Sequence, residues 1–296
     1  IIPLLIIPQM ILGGAIFSYD KLNYMIGGGM DKNVPIIADF MPARWGYEGL
    51  VVDTYVNNEY GKKFYEIERK ESICSYKQSY YIPLLKDLLY EANTGMKSPM
   101  GLKQGQVIIN LMILKNEIIK ENKINPSIPF ENPDRLKISN LDPELIQEIE
   151  DYLRKVNTFY SLIYNAVSMR KEIVNIGMNE KDLVILRDLK SNYFNNNLNE
   201  ILTNSMLKKR IIINQEFDVM QKVDPIYLFP SKSNFFDFKT HFYVPRKHIF
   251  GILIETYWFN IIILWSYTLL LFLALYSNVL KKLLSISSLF TIKNKK

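Results

Sequence analysis

The chain has 296 residues, a formal charge of +6, 48% hydrophobic residues and one cysteine, Cys74. A single cysteine excludes an internal disulfide framework, so any folded region must be held by packing. Five of the 36 basic residues are lysines beyond Leu280, leaving 31 basic against 30 acidic residues before it, so no folded region carries a basic face and nucleic acid is excluded as a partner.

The chain opens on an apolar run without Met or a basic leader, which reads as the C-terminal piece of a larger polypeptide. Residues 1–23 are predicted to be the end of a spanning helix with a re-entrant turn. The run carries Pro3, Pro8, Gly13 and Gly14, and such breaks are tolerated at membrane depth where the backbone is buried in protein or lines a cavity. Gly13, Gly14 and Phe17 are therefore candidate gate or pathway residues.

Residues 24–60 are predicted as a loop followed by an interfacial helix. Gly27, Gly28 and Gly29 stand beside Asp31 and Lys32 as a surface connection, without the spacing of a phosphate loop. Pro42 suits the first position of a short amphipathic helix, Arg44 and Glu48 lie four apart, and Trp45, Tyr47 and Tyr55 are suited to headgroup depth.

Residues 61–245 read as a mainly helical extracytoplasmic domain. Two apolar-periodic helices are predicted between Ile82 and Lys123, separated at Asn93-Thr94-Gly95. A proline-rich loop follows over 125–133. Asp142 then caps and Pro143 opens a long helix reaching about Asn175, ended by Gly177. Ile149, Leu153, Val156, Tyr160, Ile163 and Val167 form a heptad seam, which is expected to pack on helices returning between Asn179 and Lys209. Residues 224–247 are aromatic and extended, with Phe235, Phe236, Phe238, Phe242 and Tyr243 suited to the bilayer surface or to the base of the outer domain.

Residues 249–280 are predicted as a C-terminal transmembrane helix. Thr256 to Leu280 holds no charged side chain; as a helix it is roughly 37 Å long, enough for a hydrocarbon core of about 30 Å. Arg246, Lys247 and His248 flank its start and Glu255 stands at its outer boundary, while residues 281–296 form a basic cytoplasmic tail under the positive-inside bias. Asn260, Ser266, Thr268, Ser277 and Asn278 suit faces turned to neighbours or a cavity, and Asn260 joins the candidate pathway residues.

Catalytic and metal motifs are absent. There is no phosphate loop, GxSxG or HExxH, and His241 and His248 are the only histidines. This segment is not expected to be an enzyme or to hold a cofactor or metal.

The stretches GGAIFSYDKLN and VPIIADFMPARWGYEGLVVDTYVNNEYGKKFY resemble the end of the fifth helix and the outer re-entrant segment of ABC exporters of the G-subfamily type. Pro42, Arg44, Trp45, Glu48, Gly49, Leu50, Asn58, Glu59 and Tyr60 supply that family's proline-aromatic pattern. KVDPIYLFPSKSNFFDFKTHFYVPRKHIFG and ETYWFNIIILWSYTLLLFLALYSNVLKKLL look like the closing part of bacterial half-transporters of this type. The resemblance implies an α-helical inner-membrane protein with two membrane segments flanking the outer domain. It further implies a homodimer in the bilayer that exports an unknown substrate, and an ATP-binding domain upstream in the same polypeptide, carrying ATP and Mg. The loop between the two helices is longer here than in the family, so its role does not carry over. The competing reading is a non-transport scaffold or sensor anchored in the membrane, whose outer domain binds a partner.

Overall fold

A computed structural model of the chain describes residues 2–25, 34–96, 104–176, 180–230 and 241–278, and most of them are helical. The glycines of 27–29, Asp31, Lys32, Gly177, Phe235, Phe236, Phe238 and the tail lysines lie outside the described residues. The chain divides into two compact units, one of Ile1–Gly28, Lys32–Asp53 and Pro230–Lys296, the other of Gly29–Asp31 and Thr54–Phe229.

In the first unit, α1 (Ile2–Leu12) is an uncharged helix containing Pro8. Its last carbonyl is satisfied from outside the helix: the Tyr19 hydroxyl, on α2 (Tyr19–Met25), donates to Leu12 O over 2.7 Å. Pro35 precedes a single turn, α3 (Ile36–Asp39), and Pro42 opens α4 (Pro42–Val56). Strands β3 (Arg246–Ile249) and β4 (Ile252–Glu255) form an antiparallel hairpin. Its two-residue turn, Phe250-Gly251, has φ of 51° and 81°, as a primed hairpin turn requires. The hairpin passes directly into α11 (Thr256–Tyr276), which Thr256 fastens by donating its hydroxyl to Val244 O and its amide to Pro245 O.

α11 is long and apolar enough to cross a membrane, and no other described helix is. It starts at Thr256, seven residues later than the boundary expected at 249, because 246–255 pair as strands. Over 1–23, expected to be the end of a spanning helix with a re-entrant turn, the described residues form α1 and, from Tyr19, the seven-residue α2.

The second unit is a helical body with its own core. α5 (Gly61–Tyr76) continues through a π-helical turn at Lys77–Tyr81 into α6 (Ile82–Met96). α7 (Gln104–Ile124) packs along α6. Asn93-Thr94-Gly95 lies inside α6 instead of separating two helices: a Cβ on Gly95 would come within 2.5 Å of Val107 Cγ2, so the glycine serves close helix approach. α8 (Pro143–Ile176) is capped by Asp142, whose Oδ1 accepts from Leu145 N. Ile149, Leu153, Val156 and Tyr160 are buried as the heptad requires.

The partner of that seam differs from expectation. It packs on α5, the π turn and α6, where Ile82, Leu85 and Leu89 join it in one core. The returning helix α9 (Glu180–Tyr193) leaves Val184 and Ile185 exposed and makes no comparable contact. After α10 (Asn196–Thr203), β1 (Ile211–Ile213) and β2 (Val219–Gln221) form a short hairpin. Two core carboxylates of this unit are fully engaged. Glu121 accepts from Lys77, Asn125 and Tyr160, and Glu117 from Tyr81, Lys120 and the amide of Val219. A satisfied network of this kind fixes a core.

Candidate functional site

The first unit contains a different kind of polar cluster. Arg44 and Glu48 lie one turn apart on α4, so both point to the same side. Glu48 Oε2 accepts from Lys247 Nζ at 2.5 Å and from Asn260 Nδ2 at 3.1 Å. Arg44 Nη2 stands 4.0 Å from the same oxygen, and Arg44 Nη1 is 3.3 Å from Asp39 Oδ1. The second amide hydrogen of Asn260 goes to Trp45 O at 2.9 Å. The cluster thus ties α4 to β3 and to α11.

Local sequence explains how these side chains meet. On β3 Arg246 is exposed, whereas Lys247, opposite Ile254, and the next residue, His248, are both buried. Gly49 brings α4 against α11, since a Cβ there would already touch Asn260 Cβ at 3.4 Å. Trp45 forms a wall under the cations, with the Arg44 guanidinium 3.9 Å and Lys247 Nζ 4.9 Å from its ring.

The centre of the cluster is buried, while the Asp39 side chain at its edge is 24% exposed. Lys247 and Glu48 are 1% and 0% exposed, and Arg44 is 4% exposed. Burial pushes the Glu48 carboxyl up, but Lys247 and Arg44 outweigh it and hold the group below its ordinary value. For Lys247 the balance is reversed: burial, helped by Arg44, lowers it to about 8 against the opposing pull of Glu48. Several polar atoms are left over. Arg44 Nε and Nη1, Glu48 Oε1, Asn260 Oδ1 and both ring nitrogens of His248 make no hydrogen bond while buried. Native interiors rarely leave so many groups unmet in one place.

A second contact tethers the chain just before α4. The carbonyl of Asp39 accepts from Trp45 Nε1 at 2.9 Å and from the Tyr267 hydroxyl at 2.7 Å. Tyr267 is the twelfth residue of α11, which begins at Thr256.

Of the residues singled out from sequence, Arg44, Trp45, Glu48 and Asn260 come together here. They do so as an interior cluster, which corrects the reading of Arg44, Trp45 and Glu48 as an interfacial face: they are 4%, 3% and 0% exposed. Tyr55, which together with Tyr227 belongs to the second unit, is likewise interior and shares a hydrogen bond with it. Gly13 and Gly14 are buried and have packing reasons to be glycine. A Cβ on Gly13 would lie 2.6 Å from Gln9 O, and one on Gly14 (φ +80°) 2.8 Å from the Phe242 ring. Phe17 stays 43% exposed, outside the cluster. In α11, Ser266, Thr268 and Ser277 turn their hydroxyls back onto carbonyls of their own helix.

Lys247, His248, Asp39 and Tyr267 were not singled out as site residues. The available signal for Lys247 was the two-residue Phe250-Gly251 turn between apolar stretches, which marks a hairpin. Among the described residues no three His, Cys, Asp or Glu side chains gather as a metal site. Comparison with protein-family models, curated proteins and solved structures gives no match.

Proposed function

We propose that the chain is the closing part of the transmembrane domain of an ATP-driven exporter. In this reading α11 spans the bilayer, and residues 34–48 fold back beside it as a re-entrant segment. The observation that carries it is the hydrogen bond from Tyr267 to Asp39 O. Tyr267 lies eleven residues beyond Thr256, about 16 Å into a helix about 31 Å long. Asp39 is therefore level with the middle of the span. Ile36, Ile37 and Phe40 beside it are 62%, 55% and 67% exposed, an apolar surface suited to lipid or to a second copy.

A plain anchor needs only α11. Backbone folded in at mid-depth is tolerated where protein or a cavity covers it, and ionisable groups within a membrane segment usually belong to transport paths or relays. Glu48 meets Asn260, which is four residues, or about 6 Å, past the start of the helix. ATP and Mg belong in this reading to an upstream domain of the same polypeptide, and two copies enclose the path. The resemblance of residues 13–23, 34–65, 222–251 and 255–284 to G-subfamily-type exporters supports the same conclusion.

The test is ATP hydrolysis by the native polypeptide that carries this segment, purified into lipid nanodiscs. Magnesium-dependent hydrolysis that responds to Glu48→Gln is expected. A native polypeptide that contains no nucleotide-binding domain and hydrolyses no ATP contradicts the exporter and leaves the anchored scaffold.

A further inference from the structure

We propose that the Glu48–Lys247 pair is a proton-operated clasp, in which a protonated Lys247 holds α4 to the hairpin and to α11, and loss of that proton returns Glu48 to Arg44. The inference rests on the geometry of the first unit alone and stands whether or not the chain is an exporter.

The second arrangement is already provided for. Glu48 has one oxygen saturated by Lys247 and Asn260 and the other without a hydrogen bond. Arg44, one turn away on the same helix, keeps Nη1 3.3 Å from Asp39 Oδ1 and has Nε without a hydrogen bond. Nε and Oε1 are thus open to one charge-assisted hydrogen bond between residues i and i+4. While Lys247 is charged it competes for the carboxylate from the opposite side, across 199 positions of sequence. When the ammonium gives its proton to water, its lone pair is left on a neutral amine. The charge that held Glu48 to the hairpin is then gone, and Arg44 becomes its only cationic partner. A buried pair with two discrete arrangements is the element that a switch requires.

The other charged and titratable groups around Lys247 fit this role. Arg44 and Glu48 come from α4, Asp39 from α3, Tyr19 from α2 and Tyr243 from the segment before β3, while α11 contributes only the amide of Asn260 at the pair. His248, the next residue along β3, is buried with both ring nitrogens unbonded. With Asp39 and Glu48 ionised and Arg44 and Lys247 protonated the cluster is neutral, so release of one proton leaves it with a net negative charge. Against that cost, burial is the largest cause that lowers the Lys247 equilibrium to about 8, with Arg44 adding to it and Glu48 opposing it.

Trp45 reports on the event, because Lys247 Nζ lies 4.9 Å from its ring. Trp258 and Trp265 are exposed on α11 at 57% and 71%, and replacing both with Phe leaves Trp45 as the sole indole of these 296 residues. Emission of this full-length variant in nanodiscs is followed between about pH 6 and pH 10. The clasp predicts one transition centred near pH 8, abolished by Lys247→Met. Arg44→Gln should move it up and Glu48→Gln down, each by about one pH unit. Should Lys247→Met fail to fold, the opposite displacements in the other two variants carry the test. Flat emission, a transition that survives Lys247→Met, or one abolished instead by His248→Gln overturns the proposal.

Discussion

Lys247 reaches Glu48 across 2.5 Å in a place where neither side chain meets solvent. A buried ion pair adds little net stability over an apolar pair of the same shape, but removing one partner strands the other. Lys247→Met alone is expected to destabilise the full-length chain by about 3–5 kcal/mol. The double variant Lys247→Met/Glu48→Gln should recover much of that loss. Thermal unfolding in nanodiscs checks both, and additive losses would show that the two residues are not coupled.

The pair also sets a pH dependence whose sign is fixed. Glu48 is held below 4.5 in the folded chain, so its contribution is complete above the unfolded value and fades as pH falls through the folded one. Lys247 titrates at about 8 when folded against 10.5 when free. The folded chain then binds fewer protons across that window, and its stability rises with pH between those values. Denaturant titrations at a series of pH values should show both limbs. Glu48→Gln should flatten the acid limb and Lys247→Met the alkaline one.

Gly14 makes a different demand. Its φ of +80° disfavours any side chain, and the Phe242 ring occupies the place of a Cβ. Gly14→Ala should therefore cost about 1–3 kcal/mol, and Gly14→Val more. Combining Gly14→Ala with Phe242→Ala removes the steric conflict, so the double variant should lose less than the sum of the singles. Strict additivity in thermal unfolding would place the whole effect in the backbone angle.

The α8 seam separates buried from exposed positions in the second unit. Val156 is 2% exposed and faces α5 and α6, whereas Val184 on α9 is 53% exposed. Val156→Asp should cost about 3–5 kcal/mol as an unpaired buried charge, and Val184→Asp less than about 0.5. Equal losses in the two variants would mean that α9 covers the seam after all.

Self-contained signals were legible in the sequence. An uncharged run long enough to cross a bilayer needs no partner to be recognised, and neither does a cap such as Asp142 before Pro143. What covers an apolar face is not in its own pattern, which is why the heptad of α8 revealed its buried side but not its neighbours. Gly95 looked like a breaker because a glycine that admits a neighbouring helix and one that ends its own look alike in sequence. Arg44 and Glu48 read as surface charges at helical spacing; only Lys247, 199 positions away, makes them interior. Lys247 itself read as a flanking charge beside the apolar run. Its burial comes with a hairpin that covers both Lys247 and His248, and that the aromatic, proline-containing approach to the helix concealed.

The central claim is that residues 34–48 lie beside α11 inside the bilayer, and depth measurement tests it most directly. Spin labels are placed singly at Ile37, at Leu270 on α11 and at Met206 in the second unit, with Cys74 replaced by Ala, in full-length protein in lipid nanodiscs. Collisional relaxation by oxygen and by a water-soluble nickel chelate reports depth at each site. We expect Ile37 to resemble Leu270, open to oxygen and shielded from nickel, while Met206 shows the reverse. A label at Ile37 as open to nickel as the one at Met206 contradicts the re-entrant segment, and with it the structural argument for a transport role.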